Sequence, residues 1–232
     1  MDYSYNSAEK ANCWYKNVCD CSRCDSFCIR HYKMDCLVSL ATLEGNQRYS
    51  IPLKLDASGK DKDAFYQLRD IQNNINEFVT KGKNLLIYSE FTGNGKTEWA
   101  KKLLLSWFGS IWPSTDFECR GLFISMPRLM TAMRENISHP NEYFQYVNEN
   151  LLKADLVVWD ELNYKDMTTF EHDYILNIIS QRIAIGKSNV YTTNYSIPVI
   201  QQKLGSRLAS RIVETSTKIE LKEHDKRSWG VK

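Results

Sequence analysis

Short apolar runs that each close on polar residues recur from residue 84 onward, separated by stretches whose apolar residues fall three and four apart. Asn84-Leu85-Leu86-Ile87-Tyr88 is the first run and Gly121-Leu122-Phe123-Ile124-Ser125 the second. Leu156-Val157-Val158-Trp159 is the third, and Asn189-Val190-Tyr191-Thr192-Thr193-Asn194 the fourth. Their length suits buried strands. Phe65, Leu68, Ile71, Ile75, Phe78 and Val79 predict one helix starting at Asp61, with Gly82 where a helix C-terminus would be capped. Glu98 to Leu105 has helical composition; Trp107-Phe108-Gly109 is read as following that helix, and Pro113 as a loop. Leu129, Met130 and Met133 predict a short amphipathic helix with Arg128 and Arg134 facing outward, followed by a polar, aromatic-rich stretch over 141–150. Tyr174, Ile175, Ile178, Ile179 and Ile183 predict a helix from Phe170 to Ile185, ended by Gly186. Strands that alternate with helices over 84–194 imply a parallel sheet covered on both faces. Ligands bind such sheets at the carboxyl ends of the strands.

The turn after the first run carries the chemistry. Ser89 to Thr97 reads S-E-F-T-G-N-G-K-T between a strand and a helix, which is the context of a phosphate-binding P-loop. Gly93 and Gly95 let the backbone bend and bring its N–H groups near phosphate oxygens. The helix N-terminus presents positive potential to the same anion. Lys96 can reach the β- and γ-phosphates, and the Thr97 hydroxyl can ligate Mg²⁺. Gly93, Asn94, Gly95, Lys96, Thr97 and Glu98 form the expected nucleotide-binding stretch. Glu90 stands where the usual pattern has its first glycine, which puts the loop shape, more than nucleotide binding, in question. The third run ends in Asp160-Glu161, a Walker B pattern. Asp160 at a strand end would hold the Mg²⁺ ion, and Glu161 would polarise the attacking water. Thr97, Asp160 and Asn194 are expected to converge at one sheet edge.

Six of the seven cysteines lie between Cys13 and Cys36, and Cys119 stands alone. Cys21-x-x-Cys24 has zinc-knuckle spacing. Cys28 follows near an expected helix start, and Cys19 or Cys13 would complete a four-cysteine site, with His31 a further candidate. Reduced cysteines in a small core, or an iron–sulfur cluster, are the other readings. A segment this short buries little core, so bound Zn²⁺ would stabilise its fold directly. The turn formers Gly45-Asn46, Pro52 and Ser58-Gly59 mark residues 37–60 as a linker with some local structure. This divides the chain into a Cys-rich, partner-binding segment with its linker, 1–60, and an ATPase domain, 61–232.

The 232 residues, 43% hydrophobic, are enough for one large domain and a small appendage. A net charge of +2 neither demands nor excludes a polyanionic partner. No apolar run approaches the roughly 18 residues of a membrane span. The polar N-terminus lacks a signal-peptide core, so a cytosolic, cytoplasmic protein is expected. Near the C-terminus, Arg207 and Arg211 in G-S-R-L-A-S-R-I share one helical face by their i, i+4 spacing, and taken alone they read as a solvated pair.

The order of these motifs resembles the AAA+ ATPases that load the bacterial replicative helicase, the DnaC/DnaI type, and their phage-encoded relatives. The resemblance spans roughly 61–232 and rests on G-N-G-K-T, L-F-I-S-M-P-R-L-M-T-A-M-R, L-L-K-A-D-L-V-V-W-D-E-L, V-Y-T-T-N-Y-S, L-G-S-R-L-A-S-R-I and K-R-S-W. It implies a P-loop AAA+ α/β fold, a three-layer parallel sheet with helices on both faces, plus the small N-terminal zinc-binding segment. It implies that Asn194 is the sensor-1 asparagine that positions the nucleophilic water. Arg211, or secondarily Arg207, would be an arginine finger reaching a neighbouring subunit's nucleotide, and Arg227 a sensor-2 arginine in cis. The implied activity is ATP hydrolysis coupled to loading or remodelling a hexameric replicative helicase of the DnaB type on single-stranded DNA. The implied protein self-associates, with ATP sites at subunit interfaces. DNA contact would need a local basic stripe, with Arg128 and Arg134 as candidates. A transposition helper ATPase of the same fold is the alternative, as is an ATP-gated adaptor whose hydrolysis is incidental.

Overall fold

The computed structural model describes residues 29–43, 59–162 and 167–223. Helix α1 (Ile29–Leu40) is followed by α2 (Lys62–Asn73) and α3 (Ile75–Thr80), then strand β1 (Asn84–Tyr88) and α4 (Lys96–Ile111). A 3₁₀ turn over Trp112–Ser114 leads to β2 (Gly121–Ser125), α5 (Met126–Ser138), α6 (Glu142–Asn150) and β3 (Leu156–Asp160). The chain then forms α7 (Thr169–Ala184), β4 (Ser188–Thr193), α8 (Ile197–Val213) and β5 (Ser216–Glu220). The five strands make one parallel sheet in the order β2-β3-β4-β1-β5.

Alternation along each strand feeds two cores. Leu85, Ile87, Phe123, Val158, Val190 and Ile219 face α1, α2, α3 and α4. Leu86, Leu122, Ile124, Val157, Trp159 and Tyr191 face α5, α6, α7 and α8. Side chains at i and i+2 share a face, so a strand apolar throughout must be covered twice. The register pairs Ser125 with Asp160 and Tyr88 with both Thr193 and Glu220, so the carboxyl ends of all five strands share one edge. At the opposite edge, Gly82 turns with φ of +62°, and a Cβ on it would lie 2.4 Å from the Gly186 carbonyl oxygen. Only glycine fits both the left-handed turn and that backbone approach.

Several elements depart from the sequence reading. The expected single helix from Asp61 is two, broken at Asn74. The Asn74 side chain and its backbone N–H both donate to the Asp70 carbonyl, at 3.0 Å each, which closes the first helix locally. Helix α4 does not stop before Trp107; Trp107, Phe108 and Ile111 are buried in continuation of Leu103 and Leu104, and Gly109 faces open space. The 141–150 stretch is helix α6, whose N-cap Asn141 accepts from the Phe144 N–H at 3.0 Å. Residues 37–43, read as linker, instead finish α1 and pack on the sheet. Met34, Leu37, Val38, Ala41 and Leu43 are all buried. The Ala41 carbonyl accepts from Phe123 N–H at 2.8 Å and the Thr42 hydroxyl donates to Phe123 O at 2.6 Å, which covers the β2 edge. Strand β5 was not anticipated; it buries only Ser216 and Ile219 of its five residues.

Candidate nucleotide-binding site

Strand β1 delivers the chain into the loop 89–95, and its fold is set by Ser89 and Asn94. The buried Ser89 hydroxyl oxygen accepts from Phe91 N–H at 3.1 Å and from the Asn94 side-chain amide at 2.6 Å. Gly93 and Gly95 have φ of +71° and +101°, and Gly95 starts α4 by accepting from Trp99 N–H at 2.9 Å. Glu90 is exposed and is not among the non-glycine residues with positive φ, so its position places no conformational demand for glycine. Lys96 is only 7% exposed; its ammonium donates to Phe91 O at 2.6 Å and to Asn94 Oδ1 at 3.1 Å. Phosphate oxygens cradled by this loop would compete for the same three ammonium donors.

Walker B sits against the loop. The Thr97 hydroxyl donates to Asp160, 2.9 Å from Oδ1 and 3.2 Å from Oδ2. Asp160 is 6% exposed, and burial pushes its carboxyl up from the ordinary range, opposed by the hydroxyls of Thr192 and Thr97. The Thr192 hydroxyl donates to Asp160 Oδ1 at 2.6 Å and accepts from the Glu161 N–H at 3.0 Å. Glu161 leaves the strand exposed, with φ of +62°. Such a backbone costs about 1–3 kcal/mol and persists only where its surroundings hold it. Thr97 and Asp160 supply the hard oxygen donors that suit Mg²⁺, which takes one or two carboxylates plus substrate phosphates. A divalent cation there would also offset the desolvation that raises the Asp160 carboxyl.

A cleft of about 560 Å³ runs along this edge, lined by the loop residues Thr92 to Glu98, by Ser125, Asp160 and Glu161, and by Thr192 to Asn194. Thr97, Asp160 and Asn194 therefore meet as expected. Glu98 pairs with the buried Lys101 ammonium at 2.5 Å, so a second lysine lies at the base of the site. Arg207 and Arg211 do not line this cleft. They lie exposed on α8, beyond a kink at Gly205, and line a separate groove with Leu176 and Ser180 of α7. Arg134 is tied to the buried Glu171 at 2.7 and 3.2 Å, and Arg128 lies over the Tyr143 ring at 3.9 Å. Arg227 and the candidate zinc ligands Cys13, Cys19, Cys21, Cys24 and Cys28 lie outside the described residues. His31 falls within α1, and among the described residues no group of three or more His, Cys, Asp or Glu is placed to hold a metal.

Sequence reasoning missed Thr192 and Lys101. Thr192 was legible only as part of a strand end; setting the ends of β3 and β4 side by side would have brought it next to Asp160.

The parallel sheet with β1 between β4 and β5, and the glycine-rich loop between β1 and α4, give a P-loop α/β fold. No protein-family model matches the sequence, and no characterised protein matches it by sequence. Solved structures share the fold. The DnaC helicase loader aligns with a TM-score of 0.58 at 20% identity, over 72% of this chain and 93% of that one. DnaI aligns with a TM-score of 0.56 at 15% identity, over 75% and 88%. The replication initiator DnaA, bound to AMPPCP and single-stranded DNA, aligns with a TM-score of 0.54 at 16% identity, over 72% of this chain and 48% of that one. Among the described residues, no helix is long and apolar enough to cross a membrane.

Proposed function

We propose that this protein is an ATP-hydrolysing AAA+ replication protein that assembles on single-stranded DNA and loads or remodels a hexameric replicative helicase of the DnaB type. In this reading the loop 93–98 binds the ATP phosphates, with Lys96 on the β- and γ-phosphates. Thr97 and Asp160 hold Mg²⁺, which when bound neutralises charge developing on the transferred phosphoryl group. Glu161 polarises the attacking water and Asn194 orients it. Arg227 contacts nucleotide in cis. Arg211, with Arg207 beside it, acts on the nucleotide of the neighbouring subunit.

One observation supports the reading: Lys96, Thr97, Asp160, Glu161 and Asn194 line one cleft, whereas Arg207 and Arg211 sit exposed outside it. Arginines exposed outside the cleft of their own chain suit sites that lie between subunits. The resemblance in motif order and the shared fold of DnaC, DnaI and DnaA support the replication context. The Cys-rich segment ahead of Ile29 is the proposed zinc-bound, helicase-binding part. The test is co-purification of the full chain from its host cells with and without ATP. Recovery of the replicative helicase supports the loader. Recovery of a transposase points to a transposition helper, and neither protein to an adaptor.

A further inference from the structure

Thr192 has a role in this site that no motif assigns to it. The residue is 2% exposed, and its hydroxyl makes two bonds of opposite sense: it donates to Asp160 Oδ1 at 2.6 Å and accepts from the Glu161 N–H at 3.0 Å. Its own backbone carbonyl accepts from the Leu162 N–H at 2.9 Å. One residue of β4 thus fixes three consecutive residues of the Walker B strand end. The middle one, Glu161, stands at φ of +62°, which a residue with a Cβ keeps only under constraint. The hydroxyl has one proton and can serve both partners only when Asp160 takes it, because its lone pair must then face Glu161 N–H.

We propose that Thr192 is a positioning residue for hydrolysis: it links the cation-holding carboxylate of Asp160 to the backbone of Glu161 and holds the Glu161 carboxylate where it can act on water. The assignment rests on the ATPase reading above. The Thr192 hydroxyl is engaged by Asp160 Oδ1 and the Glu161 N–H, so its removal is expected to misplace Glu161 more than it weakens nucleotide binding. Displacements of about 1 Å at a catalytic group cost about a hundredfold in rate.

The test compares Thr192→Val, which keeps the shape without the hydroxyl, and Thr192→Ser, which keeps the hydroxyl. Nucleotide Kd, kcat and thermal midpoint are measured on the full chain. Thr192→Val is expected to bind nucleotide within about threefold of wild type and to hydrolyse it about 10- to 100-fold more slowly. Thr192→Ser should recover most of kcat. If Thr192→Val does not fold, Thr192→Ala takes its place. A folded variant without the hydroxyl whose kcat stays within twofold of wild type overturns the proposal. So does equal loss of Kd and kcat, or failure of both variants to fold, since the hydroxyl would then be serving binding or stability. Wild-type protein that hydrolyses no ATP would instead overturn the ATPase reading itself, which keeps the two failures distinct.

Discussion

Thr97 and Asp160, 63 residues apart in sequence, meet through a hydrogen bond of 2.9 Å at the carboxyl edge of the sheet. The contact joins the start of α4 to the end of β3 and so couples the phosphate loop to the acidic strand end. It also puts a hydroxyl and a carboxylate, both hard oxygen donors, at one point.

Nucleotide chemistry should separate by residue. Lys96→Ala removes the ammonium of the loop and is expected to abolish ATP binding. Glu161→Gln keeps the loop and the cation donors, so ATP should still bind while hydrolysis slows by about 10²-fold or more, as loss of a base implies. Equilibrium binding and phosphate release measure the two effects. Unchanged turnover in both variants contradicts the site.

Assembly is tested by mixing inactive chains. Arg211→Ala leaves the cleft of its own chain intact, so ATP binding by a single chain should persist while hydrolysis falls; fingers of this kind contribute about 10³–10⁵ in rate. Mixing Lys96→Ala with Arg211→Ala should restore part of the activity, because an interface can join an intact loop to an intact finger. No recovery, with sedimentation showing monomers in the presence of ATP and single-stranded DNA, rejects the role in trans.

Acid should weaken the α5–α7 junction. Burial pushes the Glu171 carboxyl up, but its bonds to Arg134 and Thr168 outweigh this, and the net shift is downward from 4.5. A carboxyl depressed in the folded state stabilises above its ordinary value and loses that contribution as pH falls through its folded value. Glu171→Gln should therefore lower stability at pH 7 by about 1–3 kcal/mol, through weaker bonds to Arg134 and Thr168. Its unfolding midpoint should also fall less steeply than that of wild type below pH 4.5. Urea denaturation across that range is the measurement.

Metal content tests the N-terminal segment. Purified protein never exposed to chelator should contain about one zinc per chain, held by four ligands drawn from the cysteines between Cys13 and Cys36 and from His31. Elemental analysis without zinc rejects the site; iron with visible absorbance supports a cluster instead.

The three strands with three or more consecutive apolar residues, β1, β2 and β3, were readable because an apolar buried run has nothing polar to dilute the signal; β4, with only Val190 and Tyr191, was readable together with its polar strand end. Strand β5 was not, since an edge strand with Ile219 as its one buried apolar residue carries no period. Asn74 breaks a helix that hydrophobic spacing alone carries through, because its competing side-chain bond is local and not periodic. Within the site, Lys96, Thr97 and Asp160 announce themselves by sequence order, but Thr192 acquires its place only when β3 and β4 lie in register. Arg182, in the last turn of α7, would pass for a surface cation; it is fully buried, bonded to Asn189 Oδ1 at 2.7 Å and to the Ala154 and Ser188 carbonyls at 2.8 and 2.7 Å. Its acceptors come from the turn between α6 and β3 and from the start of β4, and only the folded chain assembles them.

Helix α1 has a practical and a mechanical consequence. A truncation that begins at Asp61 strips Met34, Leu37, Val38 and Leu43 from the hydrophobic layer over α4 and β2, and leaves Phe123 and Trp107 wet. Such a fragment should be sticky, so a workable dissection cuts ahead of Ile29. A load applied to the chain just before Ile29 also reaches the sheet without slack, because α1 is inlaid in the body and pinned at its far end to Phe123.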